Sequence, residues 1–223
     1  VRFTWTNSLL EEKHIYDTYC NLIMKEADNG MNQVLVNRPV LEEYIRRQYP
    51  GFKLISSTTK RITGLDGLLE ELNKDYFLVV LDYDLNHNEE VLSAIGKQAD
   101  KVEILVNEIC YPGCPKRSEH YRQQSQMQLE YDIDAAFPCP NKTRERKFEE
   151  CKERPSFISR EQIREYADRG FVNFKIVGRG MPMDFVKESY LYYLVKDDSR
   201  AFIRNKMEST LNQFAQAMRK RKA

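Results

Sequence analysis

The sequence predicts an α/β fold of the (β/α) TIM-barrel-like type, in which parallel strands alternate with helices. Three observations predict it: six short apolar runs, helically spaced apolar residues between them, and polar residues where the runs end. Runs rich in Val, Ile, Leu and Phe are typical of strands buried on both faces. The candidate strands are Val1–Thr6, Gln33–Val36, Phe52–Ile55, Phe77–Leu81, Val102–Val106 and Val172–Val177.

Between most of these runs lie segments whose apolar residues have helical spacing. Val40, Leu41, Tyr44 and Ile45 would share one helix face, and leucines between residues 65 and 72 repeat the pattern. Strands that alternate with helices form parallel units with right-handed crossovers. After the last strand, residues 184–195 and 202–218 are predicted helices. An apolar stripe on the second one predicts core packing: Met207, Leu211, Phe214 and Met218.

The polar residues at the strand ends favour a barrel over an open doubly wound sheet. In a barrel every carboxyl end reaches the face where active sites are built, whereas an open sheet uses only the ends near its switch point. The sequence has 9 glycines and no Gly-rich phosphate loop. The residues concerned are Asn7, Asn37, Ser56, Ser57, Thr58, Asp82, Asn107, Lys175 and Arg179.

A closed barrel needs eight strands, and about six β/α units are visible. Either N-terminal units are absent, or the barrel is incomplete, or a partner subunit or a second copy completes it. A six-stranded open sheet is the alternative. We expect residues 1–196 to form the barrel-like domain, with a Cys-rich insertion loop at 107–157, and residues 197–223 to form a C-terminal helix packed on it.

Composition excludes several classes of protein. Lys plus Arg number 35 and Asp plus Glu 34, so the formal charge of +1 disfavours a globally basic nucleic-acid binder. No apolar run approaches the roughly 18 residues of a transmembrane helix, so no membrane role is expected. The start does not resemble a signal peptide. An odd number of cysteines, 5, then favours the reducing cytoplasm over a disulfide framework.

Four cysteines cluster in the long segment after the fifth strand. Cys110 and Cys114 follow the strand directly, and Cys139 and Cys151 come later, in a stretch rich in proline. Thiolates ligate zinc or an iron–sulfur cluster, and iron–sulfur sites accept irregular spacing with Cys-Pro pairs. The alternative is that these are small buried residues. Cys20 has no such neighbour and is predicted to lie in the core.

Two motifs resemble the collagenase-like peptidase family (peptidase family U32). The run Glu-Ile-Leu-Val-Asn-Glu-Ile-Cys-Tyr-Pro-Gly-Cys, which ends at Cys114, is similar to the family's strand-and-cysteine motif. Phe-Lys-Ile-Val-Gly-Arg, which ends at Arg179, is similar to its Phe-Lys-Ile-Glu-Gly-Arg element. Paired tyrosines follow the second motif, as in the family. The resemblance extends over residues 1–195.

The resemblance implies a barrel that holds a 4Fe–4S cluster, with zinc as the alternative metal. Cys110 and Cys114 match the family's close cysteines, Cys139 is the expected third ligand and Cys151 the expected fourth. Lys175 and Arg179 match the Lys and Arg of the second element. Such members support oxygen-independent hydroxylation of RNA bases or quinone precursors, while others carry a peptidase label.

Three further positions have two interpretations each. His120 is either a substitute ligand or acid–base group beside the cluster, or a partly exposed helix residue. Arg179 either clamps a carboxylate or phosphate, or forms a buried ion pair that closes the barrel. Asp82 and Asp84 either share a proton or bind a cation, or are solvated loop acids.

Three functions follow from these observations. The first is an iron–sulfur barrel enzyme that modifies a small anionic substrate or RNA, with Lys175 and Arg179 binding the negative group. The second is a peptidase or hydrolase, although no G-x-S-x-G or H-E-x-x-H motif occurs. The third is a non-catalytic module in which a structural metal fixes the long loop.

Overall fold

A six-stranded parallel sheet forms the centre of the protein. The computed structural model describes residues 1–132, 137–139 and 146–220. Within them, each strand pairs with its neighbour in sequence, in the order β1 to β6. The strands are β1 (Arg2–Trp5), β2 (Gln33–Val36), β3 (Lys53–Ser56), β4 (Leu78–Val80), β5 (Val102–Leu105) and β6 (Asn173–Lys175).

Helices connect the strands and cover one face of the sheet. The consecutive strand order has no reversal of the kind that gives an open doubly wound sheet its switch point. The fold is therefore an incomplete TIM-barrel-like half-barrel, as predicted. The helices in the described residues are α1 (Thr18–Ala27), α2 (Pro39–Gln48), α3 (Leu65–Asn73), α4 (Glu89–Ile95), α5 (Arg117–Glu130), α6 (Phe148–Lys152), α7 (Arg160–Asp168), α8 (Met183–Leu194) and α9 (Arg200–Lys220).

The core has two layers because successive strand side chains point to opposite faces. Val34 and Val36 pack in the larger layer, beneath the helices. Leu35, between them, packs in the smaller layer inside the half-barrel, with Ile55 and Leu105. The edge strands β1 and β6 are only half-buried, so the prediction of strands buried on both faces is wrong for these two.

Side chains link the two ends of the half-barrel. Arg2 on β1 forms an ion pair with Glu103 on β5 inside the sheet. At the carboxyl ends, the amide of Ser8 donates to Ser125 Oγ on α5 at 3.0 Å. Helix α5 therefore crosses from the end of β5 to the end of β1 and covers this end of the sheet.

The segment predicted as a Cys-rich loop contains α5 and α6, while residues 133–136 and 140–145 lie outside the described residues. Further along, Lys187 on α8 binds Glu208 on α9 at 2.9 Å. Leu211, Phe214 and Met218 are exposed, so the predicted core packing of their stripe is wrong. Side-chain hydrogen bonds join α8 to Arg204 and Glu208 in the first half of α9. No helix in the described part of the chain is long and apolar enough to cross a membrane.

Candidate functional site

A cavity of about 230 Å³ opens at the carboxyl ends of β4, β5 and β6, where α5 covers the sheet. We call it the cysteine cavity. Its wall combines thiol, aromatic, basic and acidic side chains from the segments that follow these strands. The lining residues include Tyr83, Glu108, Cys110, His120, Tyr121, Gln124, Cys139, Arg146, Glu150, Arg154, Val177 and Arg179.

Arg117, the first residue of α5, fixes the loop that carries the first two cysteines. Its buried guanidinium donates to Asp84 Oδ1 at 2.8 Å and to the carbonyl of Tyr111. The same group lies 4.0 Å from the centroid of the Tyr83 ring. The loop after β5 is thereby held against the end of β4.

Asp82 and Asp84 are both engaged by guanidinium groups. Arg61 donates to Asp84 Oδ2 at 2.8 Å and also forms an ion pair with Asp82. Burial raises the pKa of Asp82. For Asp84, hydrogen bonds from Arg61 and Arg117 outweigh the effect of burial and lower the pKa. The pair therefore acts as an ion-pair anchor between β3, β4 and α5.

The predicted cysteines lie around the cysteine cavity in different environments. Cys110 and Cys139 line it, and Cys114 and Cys139 line a neighbouring opening. The Cys110 amide donates to Glu108 Oε1 at 3.0 Å. Cys151 is fully buried, and its Sγ lies 3.7 Å from the carbonyl oxygen of Glu108. Burial raises the pKa of Cys151 to about 12.

The thiols of Cys110, Cys114, Cys139 and Cys151 are of the donor type that a thiophilic metal or an iron–sulfur group requires. In the residues that the structure describes, no three His, Cys, Asp or Glu side chains form a group arranged to hold a metal ion. The four-cysteine ligand set therefore stays a prediction. Cys20 is exposed on α1, so its predicted core position is wrong.

Four arginines line the cavity: Arg117, which is paired with Asp84, and three others, Arg146, Arg154 and Arg179. Arg146 donates to the carbonyl of Gly180 at 3.4 Å, and Arg179 donates to Thr4 Oγ1 at 2.9 Å. Arg154 is buried, with its guanidinium 3.9 Å from the Tyr111 ring centroid and its Nε without a hydrogen-bond partner. Across residues 1–132, 137–139 and 146–220, none of the three forms an ion pair.

Within the described residues, the two acids in the wall form no ion pair with these arginines. Burial raises the pKa of Glu108, which shifts that carboxyl towards its uncharged form. Glu150 has a buried Oε2 without a hydrogen-bond partner. A buried polar atom of this kind costs free energy unless a ligand or water satisfies it. The cavity is therefore suited to an anionic group that also carries a hydrogen-bond donor.

The three residues predicted to act in catalysis have different positions. His120 lines the cavity and stacks on Phe137 at 4.5 Å, and burial together with Arg146 lowers its pKa. Arg179 reaches the cavity but is exposed and forms no buried ion pair. Lys175 does not line it: its Nζ lies 3.7 Å from Glu103 inside the half-barrel, and burial lowers its pKa.

Sequence reasoning missed Arg154 and Glu108 as cavity residues. Arg154 follows Cys151 by three positions, and this proximity was a usable signal. Glu108 lies within the strand-and-cysteine motif, two residues before Cys110. Asn107 beside it joins the ends of β5 and β6, because its Nδ2 donates to the Val177 carbonyl at 3.0 Å.

Comparison with known proteins supports the resemblance. No family model matches the chain. An uncharacterized protease of Methanocaldococcus jannaschii is 27% identical over 184 residues, which are 79% of this chain and 54% of the relative. The chain thus spans about half the length of this curated relative. The solved structure of a U32 peptidase shares the fold with a TM-score of 0.52 at 18% identity, covering 82% of this chain and 71% of that one.

The fold and the cavity define a parallel β/α half-barrel protein with its candidate site at the carboxyl ends of the strands. These similarities in sequence and in fold support the resemblance to the collagenase-like peptidase family, U32.

Proposed function

We propose that this chain is the barrel of an iron–sulfur enzyme that binds an anionic substrate in the cysteine cavity. The observation that carries the proposal is that one wall holds two predicted cluster cysteines and three arginines that form no ion pair within the described residues. A small anion or an RNA phosphate would satisfy these arginines. The modification would be an oxygen-independent hydroxylation, as the family resemblance implies.

Substrate binding would depend on the arginines. Guanidinium groups bind carboxylates and phosphates through paired hydrogen bonds. Arg154 is the best placed, because its buried guanidinium is already desolvated and held over the Tyr111 ring. Arg146 and Arg179 would enclose the same anion from the outer side of the cavity.

Cys110, Cys114, Cys139 and Cys151 would hold a 4Fe–4S cluster. When bound, such a cluster supplies electron transfer. Two groups of this chain would manage protons beside it. Glu108 has a raised pKa and can hold a proton at its carboxyl, whereas His120 has a lowered pKa and is neutral at pH 7. The unpaired state of the cysteines supports the cytoplasm as the compartment.

Anaerobic reconstitution with iron and sulfide tests the proposal. We expect a brown protein with about four iron atoms per chain and an electron paramagnetic resonance signal after reduction. Cys110→Ala and Cys114→Ala should abolish the loading, whereas Cys20→Ala should not. A colourless protein that binds zinc would favour a structural metal module, and equal iron loading in all variants would overturn the ligand assignment.

Anion binding is tested separately, by titrating the reconstituted protein with phosphate in a calorimeter. Arg154→Gln should weaken the affinity at least about tenfold, since a charge-assisted hydrogen bond is lost from a buried site. The exposed Arg164 on α7 lines neither described cavity, so Arg164→Gln is the matched control. Equal affinities in both variants would contradict the anion site.

A hydrolase is the second candidate, because Cys110 and His120 line the same cavity and the curated relative is named a protease. A thiol activated by a neighbouring base is a common nucleophile. Replacement of Cys114 distinguishes the two functions, because a cluster would need this thiol and a hydrolase would not. For a hydrolase, metal-free protein should cleave peptides, Cys110→Ala should abolish cleavage and Cys114→Ala should retain it.

A further inference from the structure

A second cavity lies on the other side of Arg179, next to the free edge of β1. Its volume is about 470 Å³, within the range of small-molecule sites. We call it the Trp5 cavity. Apolar and aromatic side chains form most of its wall: Trp5, Leu10, Ile15, Leu41, Tyr44 and Tyr49. Neither the proposed cluster nor the anion site uses these residues.

The aromatic wall is already fixed in position. Asn21 Oδ1 accepts hydrogen bonds from the hydroxyl groups of Tyr44 and Tyr49, each at 2.7 Å. The amide of Asn21 donates to the Ile15 carbonyl at 2.7 Å. The two tyrosine rings meet edge to face, with centroids 6.0 Å apart. Since both hydroxyl groups have a partner, the rings can contact an apolar ligand without losing hydrogen bonds.

One strong charge borders this apolar space. Arg179 lines both cavities, and it donates a hydrogen bond to the neutral hydroxyl of Thr4 at 2.9 Å. Among the lining residues of the Trp5 cavity that the structure describes, none is Asp or Glu. An apolar cavity with a guanidinium at its rim and no acid in its wall complements a molecule with an apolar body and an anionic group.

We infer that the Trp5 cavity binds the apolar part of an amphiphilic carboxylate whose anionic group contacts Arg179. This inference deepens the proposed function, on which it rests for the role of Arg179, by naming the substrate class. A fatty-acid-like chain and a peptide with an apolar C-terminal residue share this chemistry. The substrate would lie across Arg179 with its charged end directed towards the cysteine cavity.

Trp5 is the single tryptophan of the chain, so its fluorescence reports occupancy of this cavity directly. The full chain is titrated with decanoate below its micelle concentration, and with decanol and acetate in parallel. We expect saturable binding of decanoate, about tenfold weaker binding of decanol because the ion pair is missing, and no response to acetate. Titration with N-acetyl-leucyl-phenylalanine and with its C-terminal amide tests whether a peptide carboxylate binds in the same way.

Three variants make the result decisive. Arg179→Gln should reduce decanoate affinity to that of decanol, while Arg164→Gln should leave it unchanged. Leu10→Phe, which places a larger ring in the cavity, should weaken decanoate and decanol equally. Absence of saturable binding, or an Arg179→Gln protein that still prefers decanoate, would overturn the inference.

The inference and the proposed function fail separately. Cys114→Ala should lose iron yet keep its decanoate affinity, because Cys114 lies outside the Trp5 cavity. Iron loading without decanoate binding would leave the cluster proposal standing and remove this substrate class. Decanoate binding in a protein that cannot hold iron would show a lipid or peptide site independent of the proposed chemistry.

Discussion

Two groups of arginines at the same end of the sheet have different partners. Arg61 and Arg117, beside β3 and β4, both bind Asp82 and Asp84. Arg146, Arg154 and Arg179, beside β5 and β6, form no ion pair in the described part of the chain. Paired charges anchor the scaffold, whereas unpaired ones gathered in a cavity are available to a ligand. The comparison therefore separates structural from functional arginines on one face.

The largest expected effect is on stability. Arg117→Met removes one of the two guanidinium partners of Asp82 and Asp84, together with the donor to the Tyr111 carbonyl. It should lower the free energy of unfolding by about 3 kcal/mol, since a buried ion pair is broken and a carbonyl loses its hydrogen bond. Urea unfolding measures this. Arg179→Gln should change the same quantity by less than about 0.5 kcal/mol, as an exposed substitution does. Similar losses in both variants would refute the division between the two groups.

Glu71 and its partners form a second group of paired charges, and the pH dependence of stability tests their contribution. Burial alone would raise the pKa of Glu71, but hydrogen bonds from Lys60, Lys74 and Ser56 bring it to about 2. Because the folded pKa lies below the ordinary value of 4.5, its contribution to stability is complete above pH 4.5 and is lost as the pH falls towards 2. Glu71→Gln should cost about 3 kcal/mol at pH 7.

Urea unfolding at a series of pH values checks this. Glu71→Gln should flatten the acid limb of the stability profile relative to the unmodified chain. If the two profiles ran parallel from pH 5 to pH 2, Glu71 would not be the group responsible.

The smallest expected effect concerns anion affinity. His120 is uncharged at pH 7 because burial, with Arg146 nearby, lowers its pKa below 6.5. As the pH falls through that lowered pKa, the imidazole gains a positive charge beside the arginines, so sulfate affinity should rise a few-fold. Calorimetry at pH 7 and pH 5 measures the change. His120→Asn should remove it, and an unchanged pH dependence in that variant would contradict the role of His120.

The strand pattern was readable in sequence because a short continuous apolar run is a local feature of the chain. Val34, Leu35 and Val36 form a continuous apolar run, which indicates burial on both faces, and the structure buries all three. The same reasoning failed for β1 and β6, since nothing local tells an edge strand from a central one. The apolar stripe with Leu211 and Phe214 was misread for a related reason: amphipathicity predicts an apolar face but not what covers it.

The candidate site was predicted in part. Arg179 and His120 were identified as chemistry-bearing residues, and both reach the cysteine cavity. Lys175 belongs to the same motif as Arg179 but faces the interior ion pair with Glu103. Arg154 comes to the cavity through contacts with Tyr111, which is distant in sequence. Such contacts depend on how α5 and α6 pack, and no spacing rule encodes that.

The order of apolar runs and polar strand ends by itself determined the parallel β/α architecture, because side-chain periodicity and crossover handedness are local properties of the chain. The close cysteines and the Gly-Arg element likewise determined the family resemblance. Only the tertiary structure decided which arginines at this end of the sheet form ion pairs and which form none within the described residues. Charge pairing joins residues far apart in sequence, so it is set by the packing of separate elements.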